Sequence, residues 1–161
     1  MQQTHDLARW PSGGNRRRLD GQWVGQLERY GLPAFLPEPP AKAPPNLHKG
    51  IEQFNGGAFW DCHETLEVVW LKTPYPLRLF YHSIIKTAVG FHHMRRHNRH
   101  GARVKLSDGV RLLPLFSPVY MGVRTGHLLE DSSGWLARVT GTDRLDWAEL
   151  DLLPTPTIHT V

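Results

Sequence analysis

Cysteine is almost absent: Cys62 is the single one in 161 residues. No internal disulfide can form, and a reducing compartment, the cytoplasm, is the expected setting. Long apolar runs are absent too. No stretch approaches the roughly 20 residues of a membrane-spanning helix, so a soluble chain with no membrane partner is expected. The triplet Arg16, Arg17, Arg18 is not followed by an apolar segment, and a secretory leader is therefore not expected. There is no convincing strand alternation, no internal repeat, no nucleophile motif and no cofactor fingerprint.

What is present is enough for one core. Apolar residues make up 40% of the chain, which fits one domain with tails. Lys and Arg outnumber Asp and Glu by 19 to 15, giving a formal charge of +4 with ten neutral histidines. The basic residues cluster at Arg16, Arg17 and Arg18 and again over residues 95–103. Such a balance admits nucleic acid as a partner, but no recognised nucleic-acid motif accompanies it. The plainer reading is a solvated helix end and a poorly ordered tail over residues 1–18.

Helical spacing dominates the rest. Trp23, Leu27 and Tyr30 predict a helix over residues 19–30, stopped by Gly31. Pro33, Pro37, Pro39, Pro40, Pro44 and Pro45 follow and predict an extended connector. Leu47, Ile51 and Phe54 predict a helix over 46–55, and Gly56-Gly57 a corner. Helices are expected over 58–72, stopped by Pro74 and Pro76, over 77–97, and over 102–113 with Val104 (or Lys105), Leu106, Val110 and Leu113 inward. Asn98 and Gly101 serve a corner, Asn by tolerating left-handed backbone and Gly by permitting close approach. Thr125 is expected to cap a last helix carrying Leu128, Leu129, Trp135, Leu136 and Val139, broken near residues 132–134. The expected architecture is all-α, a compact bundle of about four to six helices with short loops. Residues 1–45 form an extension with one short helix and the proline-rich connector, 46–140 the helical domain and 141–161 a tail.

The most informative stretch is residues 54–70, FNGGAFWDCHETLEVVW. At about 100° per residue, with His63 at zero, Glu67 falls near 40°, Trp60 near 60°, Glu64 near 100° and Trp70 near −20°. The histidine and both acids thus share half a helix with aromatic residues, while Asp61, Thr65 and Lys72 fall on the far side. On the long helix, with His82 at zero, Lys86 lies near 40°, Val89 near −20° and His93 near 20°, beside Ile85 and Gly90. Two polar seams joined by a short link are expected to face each other. They would bring His63, Glu64, Glu67, Trp70, His82, Lys86 and His93 into one buried cluster.

Three readings of such a cluster stand side by side. A divalent metal is the one cofactor it suggests, with His63, Glu67 and His93 as ligands; yet the string is not His-Glu-x-x-His, and Lys86 would repel a cation. Acid–base catalysis, hydrolase-like, would use His63, Glu64 and Glu67 near neutral pH. A structural or ligand-orienting cluster would fix helix register through buried pairs, as in a binding or interaction module. On that reading Glu67→Ala costs roughly 2–4 kcal/mol by orphaning a buried partner. Cys62 reads as a small half-buried side chain rather than a nucleophile.

These residues together resemble a known family. Phe54-Asn55, Gly57, Phe59, His63-Glu64, Leu66-Glu67 and Trp70 make a first block; Ile84-Ile85, Ala88, His93, Asn98 and Gly101-Ala102 make a second. A weaker third block, Pro118, Tyr120 and Gly122-Val123, is similar to a cyanobacterial and plastid branch. Over about residues 49–139 the chain resembles the domain of unknown function 309 family. The resemblance implies an all-helical bundle with His63, Glu64, Glu67 and Trp70 as signature positions, and it implies no activity. The chain departs from the pattern at His82-Ser83, where relatives usually carry a Gln-Gly step, and at Lys86.

Overall fold

In the computed structural model α-helices make the whole framework. The structure describes residues 16–36, 38–141 and 144–161. Among them run seven α-helices: α1 (Arg16–Tyr30), α2 (Pro45–Asn55), α3 (Phe59–Lys72), α4 (Arg78–Arg95), α5 (Arg99–Leu112), α6 (Thr125–Thr140) and α7 (Trp147–Leu152). Single 3-10 turns stand at Leu32–Ala34 and Leu113–Phe116. β-pairing among the described residues is limited to two isolated bridges, Tyr120 with Val123 and Val123 with Thr160. The fold is all-α as expected. The count exceeds four to six because the short α7 forms where the sequence showed only an apolar patch in a tail.

Pro45 opens α2 at the position where a missing N–H costs nothing and the fixed φ is already helical. Leu47, Ile51 and Phe54 then point inward as the spacing predicts. The corner into α3 turns on Gly57, whose φ of +79° suits glycine; a Cβ there would also stand 2.5 Å from Nη2 of Arg95. α3 buries Phe59, Cys62, Leu66 and Trp70. α4 is the central helix: twelve of its eighteen residues are buried, because α3 packs on one side and α5 on the other. The α4–α5 contact is close. A Cβ on Gly90 would lie 2.7 Å from the Leu106 side chain, and one on Gly109 would lie 2.4 Å from Oγ1 of Thr87.

α1 is more than an appendage. Trp23, Val24 and Leu27 are buried, and Trp23 stacks on Tyr75 at 5.9 Å and meets Phe35 edge-on at 5.4 Å. The C-terminal end also returns to the domain: Ile158 is buried, its N–H donates to Oδ1 of Asn55 (2.6 Å), and its carbonyl accepts from Nδ2 of Asn55 (2.9 Å).

Several local expectations are corrected. Arg16, Arg17 and Arg18 begin α1 instead of closing a disordered tail; the remainder of that expectation, residues 1–15, lies outside the described residues, as do Pro37 of the connector and Thr142 and Asp143 of the tail. The connector is not extended throughout, since Leu32–Ala34 forms a 3-10 turn that seats Phe35 in the core. The left-handed residue at the α4–α5 corner is His97 (φ 54°), while Asn98 (φ −91°) caps α5 by accepting the Gly101 N–H at 2.9 Å. Thr125 is not a cap: it sits inside α6 and donates its hydroxyl to the Phe116 carbonyl at 2.6 Å. α6 runs unbroken through residues 132–134, with Ser132 buried. In α5 Val104 faces solvent and Val110 is half-buried, because Ala102, Leu106, Gly109 and Leu112 make the inner face.

Candidate functional site

α3 and α4 meet along the polar seams, and between them lies a pocket of about 350 Å³. Trp60, His63, Glu67 and Trp70 line it from α3; His82, Ile85, Lys86, Val89 and His93 line it from α4; Lys105 of α5 closes one edge. Six of the seven residues singled out in the sequence therefore come together. Glu64 does not: its side chain is exposed. The helical arithmetic explains the difference. The buried residues Phe59, Cys62 and Leu66 centre the inner face of α3 near −65°, which leaves His63 and Glu67 on its flank and turns Glu64 about 165° away.

The cluster is a half-open wall, not a sealed core. The side chains of His63 and Glu67 are 19% and 45% exposed, and Nε2 of His63 stands 3.8 Å from Oε2 of Glu67. That is an ion-pair distance, too long for a hydrogen bond. His63 instead lies against the Trp60 ring at 4.6 Å between centroids, and Trp60 in turn meets His92 at 4.9 Å. Trp70 faces His82 at 5.1 Å. The guanidiniums of Arg78 and Arg16 stand over its ring at 4.6 and 5.3 Å. Arg78 is held there by its Nε–H, which donates to the Trp70 carbonyl at 3.0 Å.

The partners of the α4 residues come from elsewhere in the chain. Nδ1 of His82 lies 3.3 Å from Oδ2 of Asp20 on α1, close enough for an ion pair though not aligned as a hydrogen bond. Tyr75 donates its hydroxyl to the other oxygen of Asp20. Burial alone would raise the pKa of this carboxyl, but the close contact with His82, the hydrogen bond from Tyr75 and the electrostatic pull of His82 and Lys86 outweigh it, so the net shift is downward. Tyr75 is pushed the other way, to about 12, by burial and by the same contact. Nζ of Lys86 pairs with Oδ2 of Asp108 at 3.2 Å. Lys105 is held below its ordinary value, first by burial and then by the charge of Lys86 beside it. His93 is lowered by burial and by His92, Lys105 and Arg96.

Three of these wall residues carry a buried polar atom with no hydrogen-bond partner: Nδ1 of His63, Nε1 of Trp70 and Nδ1 of His82. Trp70 is only 8% exposed, so water cannot readily satisfy its N–H.

Asp20 and Asp108 are the functional neighbours that the sequence reading missed. Asp20 had a legible signal, since it precedes Trp23, Val24 and Leu27 at helical spacing and so stands on the buried stripe of α1. Asp108 had none, because its pairing with Lys86 is visible only once α4 and α5 are packed.

The candidate metal ligands do not converge on one point. Among the described residues no three His, Cys, Asp or Glu side chains converge closely enough to hold an ion, and His63, Glu67 and His93 are no exception. His93 is drawn toward the α5 corner, with Nδ1 3.3 Å from Nδ2 of Asn98 and Cγ 2.7 Å from the position of a Cβ on Gly101. Cys62 is fully buried rather than half-buried, and burial pushes its thiol up to about 12, which makes it inert as a nucleophile.

The second basic cluster, over residues 95–103, is partly consumed by the fold. Arg95 donates to the Gly57 carbonyl at 2.7 Å and stands over Phe59, Arg99 donates to the Val139 carbonyl at 2.9 Å, and His97 pairs with Asp151 at 2.9 Å. A larger cleft of about 500 Å³ lies between α4, α6 and the C-terminal segment. Its charged lining residues, Arg95 and Asp151, are those same bonded groups. No helix among the described residues is long and apolar enough to cross a membrane.

No curated protein and no solved structure matches the chain. A family model does, over residues 47–104, a span that holds α2 from Leu47 onward, α3, α4 and the start of α5 and ends before the third motif block. Every α3 and α4 residue of the pocket wall falls inside that span, over which the chain is similar to the family described as domain of unknown function (DUF309).

Proposed function

We propose that this helical domain is a binding module whose ligand occupies the pocket between α3 and α4. The observation that carries the reading is the unpartnered Trp70 N–H, one of three buried nitrogens of the pocket wall, with Nδ1 of His63 and of His82, that have no hydrogen-bond partner. A buried donor left unsatisfied costs about 1–3 kcal/mol, so a wall that retains one is better suited to a bound acceptor than to an empty pocket. The volume fits this use, lying at the lower end of the range of small-molecule sites, about 300–1,000 Å³.

In this reading the surrounding pairs are orienting devices. Asp20 and Tyr75 hold His82, Asp108 holds Lys86, and Arg78 fixes the Trp70 ring. Acid–base chemistry is less well served, because His63 and Glu67 are not hydrogen-bonded to each other and Glu64 faces away. A cytoplasmic setting belongs to the same proposal, resting on a lone, deeply buried thiol.

The test is a thermal-shift screen of the full chain against a library of small metabolites, repeated with Val89→Phe, which fills the pocket. The expected result is at least one compound that raises Tm in a concentration-dependent way in the wild type and not in the variant. A library without such a compound, or hits indifferent to Val89→Phe, would overturn the reading.

A further inference from the structure

The polar groups of the pocket are unequal in kind, and the inequality bears on what can bind. Lys86, Lys105 and the Trp70 N–H can only donate hydrogen bonds. The one acidic side chain of the wall is Glu67, and it is half exposed beside His63. The histidines can serve either way and gain charge when protonated. A ligand matched to this wall must therefore be chiefly an acceptor.

Charge points the same way. Lys86 and Lys105 stand side by side on neighbouring helices, and Lys105 is disfavoured as a cation by burial and by Lys86. Asp108 answers Lys86 at 3.2 Å and also favours the Lys105 cation, but burial and Lys86 outweigh it there. An anion placed between the two ammonium groups would relieve that crowding, and charge-assisted hydrogen bonds are among the stronger ones available. The rest of the lining is apolar and flat: the rings of Trp60 and Trp70, with Ile85 and Val89. Indole faces favour a planar partner.

Resting on the binding-module reading, we propose that the pocket takes a small organic anion with a flat apolar body. Its carboxylate or phosphate oxygens accept from Lys86 and Lys105, and its body lies among the tryptophans, Ile85 and Val89.

Isothermal titration calorimetry of the full chain with benzoate, phenyl phosphate, benzamide and benzamidine tests this directly. The four probes share a ring and differ in charge, and the two anions distinguish a carboxylate ligand from a phosphate one. At least one anion is expected to bind saturably, with benzamide about tenfold weaker or worse, the equivalent of about 1.4 kcal/mol. Benzamidine should give no binding. Lys105→Met, or Lys105→Gln should the first variant fold poorly, is expected to lower anion affinity by about tenfold while leaving Tm within error. Benzamide or benzamidine binding as tightly as benzoate would overturn the anion and leave the module standing. Anion binding that survives both Lys105 variants would overturn it as well. If none of the four binds while the metabolite screen yields a pocket ligand, the anion inference falls alone; if the screen is also silent, the module reading falls with it.

Discussion

On its α5 side, α4 buries Ser83 and Thr87 completely, yet neither hydroxyl is left without a partner: Ser83 donates to the Phe80 carbonyl at 2.6 Å and Thr87 to the Ser83 carbonyl at 2.8 Å. On its α3 side the same helix presents His82, Lys86 and His93 to a pocket, facing a wall in which Trp70 and His63 keep unpartnered nitrogens. One seam satisfies its polar groups locally and closes to van der Waals contact through Gly90 and Gly109. The other borrows its partners from other helices, Asp20 from α1 and Asp108 from α5, and stays open. The difference is one of size and reach. A short hydroxyl bonds back to the carbonyls of its own helix, whereas His82 and Lys86 reach out to carboxylates on other helices. A sealed seam stabilises; an open one with unpaired donors leaves room for a ligand.

The comparison predicts that the sealed seam is the more fragile under added volume. Gly109→Val would bring carbon atoms into the space of Thr87 Oγ1, already only 2.4 Å from a Cβ at that position, and within 3.3 Å of the Thr87 backbone nitrogen. The backbone cannot yield as a flexible side chain would, so a loss of about 3 kcal/mol is expected in urea unfolding. A variant as stable as the wild type would mean that α4 and α5 can separate freely and that the close seam is not a source of stability.

A smaller effect is expected at Asp20, where α1 reaches the open seam. Asp20→Ala removes the partner of His82 and the acceptor of the Tyr75 hydroxyl, for a loss of about 1–2 kcal/mol at neutral pH. The sign with pH follows from the downward shift of the Asp20 carboxyl. Its contribution is fully present above the ordinary aspartate value of 3.8 and is lost as pH falls through the lower value it has in the fold. The stability gap between wild type and variant should therefore close only in acid below that value. A gap that stays constant as pH falls through that value would overturn the assignment to the Asp20 carboxylate.

Much of this arrangement was legible in the sequence because it depends on local periodicity. The faces of α2, α3 and α4, the corner at Gly57 and the convergence of His63, Glu67, Trp70, His82, Lys86 and His93 all follow from the helical repeat and a short link. What was not legible depends on packing between distant segments. The degree of burial on a helix flank is set by the neighbour it meets, so Glu64 turned out exposed and Glu67 half-exposed. The supporting acids Asp20 and Asp108 come from helices whose docking no periodicity announces. α7 is six residues long, too short for a repeat to declare itself.

Exposure also revises the expected weight of Glu67. A buried pair broken by Glu67→Ala would cost roughly 2–4 kcal/mol, but a carboxylate 45% exposed, 3.8 Å from its histidine, behaves as a surface pair. The loss now expected is below about 0.5 kcal/mol, read from chemical denaturation. A loss of several kcal/mol would restore the sealed-cluster view and remove the contrast between the two seams.

The sharpest separation of the seams comes from a substitution expected to act on binding more than on stability. Trp70→Phe deletes the unpartnered N–H while leaving an aromatic ring beneath the guanidiniums of Arg78 and Arg16 and against His82. Losing the larger indole costs some buried apolar contact, and removing an unsatisfied buried donor returns some of it, so the net change in the free protein should stay within about 1 kcal/mol. Binding should respond differently. If the N–H is kept for an acceptor in the pocket, a ligand that stabilises the wild type should lose about tenfold in affinity on Trp70→Phe, since a hydrogen bond to a charged group is worth about 1.5–3 kcal/mol. On the sealed seam no equivalent substitution exists, because neither hydroxyl there lacks a partner. Unchanged affinity with reduced stability would instead make Trp70 a packing residue like Phe59, and the two faces of α4 would then differ in openness but not in purpose.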